Sequence, residues 1–485
     1  MAFAITQNCC NDASCLSVCP VNCIHPTPGE PDFGKTELLY IDPRSCIDCG
    51  ACADACPVDA ISRVSRLSDD QAVYADINAD YYRDRPAVAA WDPPTFPPSS
   101  INTMPRFDVA IIGTGPAACY TAQALLRVPG SRITFFDKLD VPGGLARFGV
   151  APDHAGTRQI GEHFRSLFIH PRVTMRLGVE VGADISHEET ARKFDSVVYA
   201  VGADNDRPLD IPGTELPGFI SARTVVGWYT GHPDVPADAV DLTGVHRVTI
   251  IGNGNVALDA ARILTADPNV LENTEISRHA LASLRKSTVT QVVIAARRGP
   301  EFAAFTRSEC QALVSRPGVE VAVAGPEGVL GAIEQLPVSA PASALRGAPI
   351  VDLQAAGTER RIVFAFGRAP KALTGDNRVE SVELSDGVTV ATDLALLAVG
   401  YRGTPSPGMP FDAMSGAIRN LEGRVINDDG SAVPGRYVVG WAKRGATGGI
   451  GDNKVDAEQT VDALLADIAA DPPARKRRFQ RRGTR

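Results

Sequence analysis

The sequence contains no apolar run of about 18 residues, the length that a membrane-spanning helix needs. The first ten residues, MAFAITQNCC, have neither a basic start nor a long apolar segment, which argues against a secretory signal. These absences argue against an integral membrane protein and against a secreted one. We therefore expect a cytoplasmic protein without a membrane partner; nothing in the sequence predicts its oligomeric state.

Basic residues do not predominate, because the 485-residue chain carries a formal net charge of −9. Without a basic excess to attract polyanions, we expect no nucleic-acid partner. The final segment RKRRFQRRGTR (475–485) is the exception, since it contains no acid. We interpret it as a solvated, disordered tail; docking onto an acidic partner or RNA is the alternative.

Cysteine is nearly absent after residue 56, although it is abundant before that position. Nine of the 11 cysteines lie in the first 56 residues, namely Cys9, Cys10, Cys15, Cys19, Cys23, Cys46, Cys49, Cys52 and Cys56. Such clustering indicates disulfides or bound metal, and a reducing compartment favours metal. The other two, Cys119 and Cys310, are interpreted as packing thiols.

Two cysteine runs follow the spacing of two-cluster bacterial ferredoxins, C-x2-C-x2-C-x3-C-P. The second run, CIDCGACADACP, is complete, whereas the first has Asp12 at its second cysteine position. In such ferredoxins the fourth cysteine of each run binds the other cluster. This rule assigns one [4Fe-4S] cluster to Cys19, Cys46, Cys49 and Cys52. It leaves Cys9, Cys15 and Cys56 for the other cluster.

Asp12 therefore faces the fourth iron position of the cluster bound by Cys9, Cys15 and Cys56. A carboxylate is a harder and weaker ligand for this iron than a thiolate. We predict a [3Fe-4S] cluster, or a [4Fe-4S] cluster with Asp12 or water on one iron. Ligation by Cys10 after loop rearrangement is an alternative, and Cys23 is expected to pack beside a cluster. Zinc is disfavoured, because zinc sites do not require the two Cys-Pro endings.

The residues after the cysteine-rich part change in character twice. A proline-rich stretch of weak hydrophobic periodicity over 66–105 predicts a linker of partly extended character. From Phe107 onward, short apolar runs alternate with helical segments, which is typical of an α/β fold. Two glycine-rich units lie more than a hundred residues apart in this part, so two nucleotide-binding domains are expected.

The first glycine-rich turn, IIGTGPAAC, follows an apolar strand and opens a helix at Pro116. Gly113 and Gly115 allow the turn and the close approach of a pyrophosphate, and Ala118 suits helix–strand packing. Asp137 ends the next strand, 24 positions after Gly113. A carboxylate there binds ribose hydroxyls and repels a 2′-phosphate, so the sequence predicts an FAD or NAD site.

The second glycine-rich turn, IIGNGNVALD, contributes the candidate cofactor-binding residues Gly252, Asn253, Gly254, Asn255 and Val256. The next apparent strand runs into Arg297 and Arg298, whose guanidinium groups suit a 2′-phosphate. We therefore assign NADP to this site, although solvation of both arginines is the alternative. Arg297 lies 45 positions beyond Gly252, which requires an inserted helical segment over 265–288.

With these residues in hand, the chain from about 107 to 467 resembles the adrenodoxin reductase family of ferredoxin–NADP reductases. The matching segments are GTGPAA, GLARFGVAPDH, YAVGA, GNGNVALDAARIL, ARRGPEFAAFT followed by Glu309, AVGYRG and GWAKRGATGGIG. Together with its cysteine-rich front, the chain resembles the fused ferredoxin/ferredoxin–NADP reductases of actinobacterial type.

The resemblance implies an α/β reductase with two Rossmann-like domains, similar to glutathione reductase, behind a small α+β two-cluster ferredoxin domain. The implied boundaries are 1–65 for the ferredoxin, 66–105 for the linker, 106–205 and 395–470 for a split FAD domain, 206–394 for the NADP domain and 471–485 for the tail.

Further site residues come from the resemblance alone. It implies that Trp441, Gly448 and Ile450 lie against the flavin. It also implies that the remaining cofactor-binding candidates are Gly144, Leu145 and Glu309. His154 and Asp259 match polar positions near flavin and nicotinamide, where they handle hydride or protons or orient the domain interface.

The expected function is an NADPH-dependent flavoprotein reductase. Electrons would pass from NADPH through FAD to the chain's own ferredoxin domain, to an external ferredoxin or another acceptor protein, or to both. A subunit resembling the small subunit of glutamate synthase is the alternative, because it also joins iron–sulfur clusters to FAD and NADPH sites. The segments GLARFGVAPDH and GWAKRGATGGIG favour the reductase.

Overall fold

A computed structural model of the chain describes residues 2–85, 104–355, 360–406 and 408–472. Most of the predicted tail and the second half of the predicted linker lie outside these residues. The backbone divides into two compact units. The first contains the described residues up to 85 together with 145–161 and 205–401. The second contains 104–144, 162–204 and 402–472.

The N-terminal residues form a small α+β arrangement, as predicted for a ferredoxin. Its strands and helices are β1 (Phe3–Ile5), β2 (Ile24–His25), β3 (Tyr40–Ile41), α1 (Ala51–Ala55), β4 (Ile61–Arg63) and α2 (Val73–Tyr81). Strand β1 pairs antiparallel with β4, and β2 pairs antiparallel with β3. The two cysteine runs lie in the loops between these short strands.

Helix α2 stands where the sequence predicts an extended linker, so that prediction is wrong for this segment. Tyr74, Ile77 and Asn78 form its buried face. The Asn78 side-chain oxygen accepts hydrogen bonds from the backbone N–H groups of Ile5 (3.1 Å) and Ile41 (2.9 Å). Because a polar residue occupies the buried face, the apolar periodicity that predicts a helix is weak.

The next part of the chain, which apart from residues 145–161 belongs to the second unit, alternates strands with helices. Its elements are β5 (Phe107–Ile112), α3 (Pro116–Leu126), β6 (Ser131–Asp137), α4 (Gly144–Phe148), α5 (Ala155–Phe168), β7 (Val173–Leu177), α6 (His187–Lys193) and β8 (Ser196–Tyr199).

Residues 205–401 belong to the first unit and continue this alternation. Their helices are α7 (Ala222–Thr230), α8 (Asn255–Leu264), α9 (Pro268–Leu271), α10 (Arg278–Leu284), α11 (Arg307–Val314) and α12 (Val329–Gln335). Their strands are β9 (Asn205–Asp206), β10 (Phe219–Ser221), β11 (Arg247–Ile251), β12 (Gln291–Ala295), β13 (Glu320–Ala324), β14 (Arg361–Ala365), β15 (Pro370–Thr374), β16 (Ser381–Leu384), β17 (Thr389–Ala391), β18 (Leu394–Leu397) and β19 (Tyr401–Arg402). Helices α9 and α10 form the predicted insertion between β11 and β12, which is confirmed.

The last described residues complete the second unit. They form β20 (Phe411–Asp412), β21 (Ala417–Ile418), β22 (Asn420–Leu421), β23 (Arg424–Ile426), β24 (Ala432–Val438), α13 (Trp441–Arg444) and α14 (Asp452–Ala470).

Each unit is built on one large sheet. In the first, six parallel strands lie in the order β10-β18-β11-β12-β14-β13. In the second, seven strands lie in the order β22-β23-β24-β8-β5-β6-β7, with the five from β24 to β7 parallel. Nearly continuous apolar runs such as QVVIA form these strands, because helices cover both faces of a parallel sheet. The predicted α/β class is confirmed.

Strand β18 shows where the expected domain boundary is wrong. Residues from 395 onward are expected in the FAD domain, but β18 pairs with β10 and β11 in the first unit's sheet. The apolar run LALLAVG carries no local signal that selects one sheet over the other. Residues 145–161 also cluster with the first unit rather than with their sequence neighbours.

The residues interpreted as core rather than site are buried. Trp228 and Tyr229 are fully buried in the largest hydrophobic core of the first unit. Cys119 and Cys310 are also fully buried, in agreement with their interpretation as packing thiols.

Candidate functional site

The cysteines assigned to the [4Fe-4S] cluster line one cavity in the first unit. Its lining includes Cys19, Cys46, Cys49 and Cys52, together with Cys23 and apolar side chains. Three of these cysteines come from one loop and helix α1, whereas Cys19 comes from the first run. Four thiols converging on an apolar cavity fit a cubane cluster held by cysteine alone.

Cys23 lines the same cavity, although it lies outside the ligand frame. Its Sγ is 3.5 Å from Cys19 Sγ, and it also hydrogen-bonds Cys46. These hydrogen bonds lower the pKa of Cys19 and of Cys46 to about 6. A lowered pKa favours the thiolate, which is the state that binds iron.

The second group of cysteines gathers around Asp12. Burial raises the pKa of Cys15, and the negative charges of Cys9, Asp12 and Cys56 act on it in the same direction. Asp12 is only 8% exposed. Its two oxygens accept hydrogen bonds from the backbone N–H (3.3 Å) and the hydroxyl of Ser14.

The two cysteine loops share an unusual backbone geometry. Asn11 and Asp48, at equivalent positions of the two runs, both have φ of 57°. Ala13 and Gly50, also equivalent, have φ of 59° and 83°. A left-handed alanine is strained by about 1 kcal/mol or more. The first loop therefore keeps the shape of a ligand-presenting loop although Asp12 replaces a cysteine.

The first glycine-rich turn lies at the carboxyl end of β5 in the second unit. Gly113 has φ of 105°, and a Cβ there would lie 2.4 Å from the carbonyl oxygen of Ala200. A Cβ on Gly144 would lie 2.7 Å from the Cα of Gly115. Only glycine fits these approaches, and the bare backbone at the start of α3 suits a pyrophosphate.

Asp137 lies at the carboxyl end of β6, next to the glycine-rich turn, because β5 and β6 are parallel neighbours. One carboxylate oxygen accepts a hydrogen bond from the Thr114 hydroxyl, and the other accepts one from the backbone N–H of Leu139 at 3.0 Å. The carboxylate is thus fixed where it can accept hydrogen bonds from ribose hydroxyls. This arrangement fits the ribose of FAD.

The Trp441 segment begins beside the start of α3 within the second unit. Trp441 Nε1 donates a hydrogen bond to the carbonyl oxygen of Gly448 (3.0 Å). A Cβ on Gly440 would come within 2.6 Å of Ala117 Cβ, near the start of α3. Ile450 lies two residues before the start of α14. The structure therefore places the start of this segment beside α3, the helix that follows the glycine-rich turn.

Asp456 is a residue of this region that sequence reasoning missed. Its carboxylate is 5% exposed and binds Lys443 Nζ at 2.7 Å and an Arg444 guanidinium nitrogen at 2.6 Å. It also accepts a hydrogen bond from the backbone N–H of Gly440 at 2.6 Å. Asp456 thus fixes the segment that begins at Trp441. Asp456 lies in a helix whose sequence is rich in polar and charged residues, so the sequence alone did not indicate this role.

The second glycine-rich turn lies at the carboxyl end of β11 in the first unit. Gly252 has φ of 119°, and a Cβ there would lie 2.2 Å from the carbonyl oxygen of Ala398. Asn255, the first residue of α8, accepts a hydrogen bond from the Thr306 backbone N–H at 2.8 Å. The start of α8 thus has a second bare turn suited to a pyrophosphate.

Arg297 and Arg298 follow β12, the parallel neighbour of β11, so they lie at the same edge of the sheet as Gly252. Both are exposed. The Arg298 guanidinium is 4.6 Å from the ring centroid of Phe302, a cation–π contact that orients it. Two exposed cations beside this turn fit a 2′-phosphate. Beside the first glycine-rich turn, the corresponding position after the neighbouring strand is occupied by the negatively charged Asp137.

His154, Asp259 and Glu309 come together in the first unit. His154 Nε2 is 3.9 Å from Asp259 Oδ1 and 3.4 Å from Glu309 Oε2. Burial raises the pKa of Glu309. The buried Arg262 guanidinium lies 2.8 Å from Asp259 and 3.6 Å from Glu309. Arg262 already supplies the positive charge, so this cluster is an ion-pair network rather than a cation site.

Asp153 extends this network and was not singled out from the sequence. It binds Arg262 through two hydrogen bonds of 2.8 and 2.9 Å, and Arg316 lies 3.5 Å away. Burial alone would raise the pKa of Asp153, but Arg262 outweighs burial and holds it at about 2. Asp153 directly precedes His154 in the segment APDH, and this position could have indicated that it belongs to the site.

Known proteins share nearly the whole length of this chain. A probable ferredoxin/ferredoxin–NADP reductase of Mycobacterium bovis is 44% identical over 487 residues, which cover 96% of this chain and 84% of the relative. The chain belongs to the ferredoxin/ferredoxin–NADP reductase family. The corresponding protein of Mycobacterium leprae is also 44% identical, over 97% of this chain and 87% of its own length. The family resemblance inferred from the sequence is confirmed.

More distant relatives cover the reductase part of this family member. The solved structure of FprA, a Mycobacterium tuberculosis oxidoreductase, is 40% identical, with a TM-score of 0.69, over 75% of this chain and 85% of that one. The human mitochondrial NADPH:adrenodoxin oxidoreductase is 35% identical over 79% of this chain and 85% of its own.

Two family models match separate parts of the chain. The pyridine nucleotide-disulphide oxidoreductase model matches residues 107–324, and the 4Fe-4S binding domain model matches residues 39–62. This member of the family is therefore an oxidoreductase with dinucleotide-binding and iron–sulfur-binding parts. The matched iron–sulfur segment contains the complete cysteine run but not the run with Asp12. Within the described residues, no helix is both long and apolar enough to cross a membrane.

Proposed function

We propose that this reductase oxidises NADPH and passes the electrons through FAD to its own iron–sulfur domain, and from there to a ferredoxin or another acceptor protein. The observation that carries the proposal is the contrast between two similar turns. One has the carboxylate of Asp137 beside it, and the other has the guanidinium groups of Arg297 and Arg298. The first suits FAD and the second suits NADPH.

Each group of residues has a separate task in this proposal. Arg297 and Arg298 bind the 2′-phosphate, and Asp137 binds the FAD ribose. FAD, when bound, accepts electrons in pairs and releases them singly. His154 and Asp259 position the nicotinamide or move a proton, and the Arg262 network holds their side chains in place. The cysteine groups hold the one-electron centres.

We further propose that the two iron–sulfur sites differ. Cys19, Cys46, Cys49 and Cys52 hold a [4Fe-4S] cluster. Cys9, Cys15 and Cys56 hold a [3Fe-4S] cluster, or a [4Fe-4S] cluster with Asp12 on one iron. The hydrogen bonds of Ser14 to both Asp12 oxygens support the three-iron form, because they compete with iron for the carboxylate. Unlike clusters differ in reduction potential.

Electron paramagnetic resonance of the anaerobically purified chain tests this function. We expect the signal of an oxidised [3Fe-4S] cluster before reduction and signals of reduced [4Fe-4S] after NADPH is added. The flavin absorbance should bleach in the same experiment, and cytochrome c should be reduced by the isolated chain. A flavin that NADPH does not bleach would contradict the proposal.

Replacing Asp12 by cysteine should complete the first cysteine run. We expect Asp12→Cys to lose the oxidised [3Fe-4S] signal, to gain a second reduced [4Fe-4S] signal and to bind one more iron per chain. Iron analysis and electron paramagnetic resonance measure both. Cys10→Ala is the control, because it should leave the spectra and the iron content unchanged. An iron content that is equal in the wild type and Asp12→Cys would show that the first site already holds four irons.

A further inference from the structure

Glu37 of the ferredoxin domain binds the start of a helix in the nucleotide-binding part of the same unit. Its two carboxylate oxygens accept hydrogen bonds from the backbone N–H groups of Arg307 and of Ser308, the latter at 3.1 Å. These are the first two residues of α11. A carboxylate at this position satisfies free N–H groups and interacts favourably with the helix dipole. Tyr74 adds a hydrogen bond from its hydroxyl to the Ser308 carbonyl at 3.1 Å.

A second contact joins the ferredoxin domain to the start of α5. A Cβ on Gly156 would lie 2.3 Å from the Asn8 side-chain nitrogen and 2.9 Å from the carbonyl oxygen of Val58. The two surfaces are therefore in direct backbone-to-backbone proximity at this glycine. Gly156 stands two positions after His154, and α11 carries Glu309. Both contacts thus flank the His154, Asp259 and Glu309 cluster.

Both contacts involve the loops around the Cys9, Cys15 and Cys56 site. Asn8 directly precedes Cys9, and Val58 follows Cys56 by two positions. The Asn11 side-chain amide donates hydrogen bonds to the carbonyl oxygens of Thr36 (2.9 Å) and Glu37 (3.0 Å). The loop around Asp12 is therefore tied directly to the segment that carries the anchoring carboxylate.

The other cysteine group has an exposed side. Cys49 is exposed, and Ile47 beside it is 49% exposed although it is a large apolar residue. The ferredoxin domain therefore has two unlike ends. The end with Cys9 and Cys56 contacts α5 and α11, and the end with Ile47 and Cys49 meets solvent.

We propose that the face formed by the starts of α5 and α11 is a docking surface whose occupant is this chain's own ferredoxin domain. Glu37 is the positioning residue that anchors it with the Cys9, Cys15 and Cys56 site turned inward. The Cys49 end is left for an external acceptor protein. This inference rests on the proposed function, because it assigns the inward site to the electrons that come from the reductase.

Hydrogen exchange of the full-length holoprotein tests the anchor without relying on turnover. In Glu37→Ala, peptides that contain the Arg307 and Ser308 amides should exchange about five to ten times faster, as expected from the loss of a capping side chain. Glu37→Gln should show a smaller increase, because its amide accepts only one of the two hydrogen bonds. Asp69→Ala, which removes an exposed carboxylate shortly before α2, is the matched control and should show no increase.

Two rapid-mixing measurements separate the anchor from the chemistry. In Glu37→Ala, the reduction of flavin by NADPH should keep its wild-type rate, whereas the later reduction of the clusters should slow. Unchanged exchange at Arg307 and Ser308 in Glu37→Ala would overturn the docking. Failure of the wild-type chain to reduce its clusters with NADPH would instead overturn the proposed function, and the exchange result would still decide the docking.

Discussion

Replacing both Arg297 and Arg298 by alanine is expected to raise the KM for NADPH about a hundredfold and to leave the KM for NADH nearly unchanged. A hydrogen bond to a charged group contributes about 1.5–3 kcal/mol, and a tenfold change in affinity corresponds to about 1.4 kcal/mol. Both arginines are exposed, so solvent screening places the pair at the lower end of that range. Only NADPH carries the 2′-phosphate, so only its binding should suffer. Steady-state kinetics with the two nucleotides measures the ratio.

Lys286→Ala provides the matched control for this prediction. Lys286 is an exposed cation that precedes β12, at the opposite edge of the sheet from Arg297. Its replacement should change neither KM, because it lies at the amino end of the strand. An equal rise of both KM values in the arginine variant would show that these arginines do not recognise the 2′-phosphate.

The parts of the site that depend on local sequence were predictable. A glycine-rich turn between an apolar strand and a helix has one main use, and its geometry is fixed by a few neighbouring residues. The positive φ of Gly113 and Gly252 agrees with that interpretation. The same holds for the cysteine runs, since the spacing alone predicts which residues share a cavity. Asp137 and Arg297 were predictable because parallel strands end at one edge of a sheet.

The parts that depend on distant residues were not predictable from one sequence. Glu37 and the α11 residues that it binds are 270 and 271 positions apart. The apolar run of β18 is equally compatible with either sheet, so its membership is decided by packing. Helix α2 was missed because Asn78, its central buried residue, is polar. The hydrogen bonds that make the burial of Asn78 favourable come from the backbone of strands β1 and β3.

Replacing Arg262 by methionine is expected to lower the free energy of unfolding of the first unit by about 3–5 kcal/mol. Arg262 is 6% exposed and is surrounded by Asp153, Asp259 and Glu309. Methionine fills a similar volume, but it leaves three largely buried carboxyl groups without their central cation, so that only His154 and Arg316 remain beside them. Removing one partner of a buried ion pair is costly because the other charge remains desolvated. Denaturant unfolding followed by tryptophan fluorescence measures the loss, and Trp228 reports from the core of this unit.

Arg285→Met is the control, because Arg285 pairs with Glu272 at 2.8 Å on the surface, where both side chains are about half exposed. It should cost no more than about 1 kcal/mol. A loss in Arg262→Met that is as small as in this control would contradict the buried network.

The cost of Arg262→Met should also depend on pH. In the wild type the pKa of Asp153 is held at about 2, below its ordinary value of 3.8, so its stabilising effect is present above 3.8 and is lost as pH falls through 2. Without Arg262, only His154 and Arg316 oppose the burial that raises the pKa of Asp153. This pKa should then rise, so the variant should lose stability as pH rises from 3.8 toward the raised pKa. The difference between wild type and variant should therefore be larger at pH 8 than at pH 5. A difference that does not change with pH would mean that lost packing, rather than unpaired charge, causes the instability.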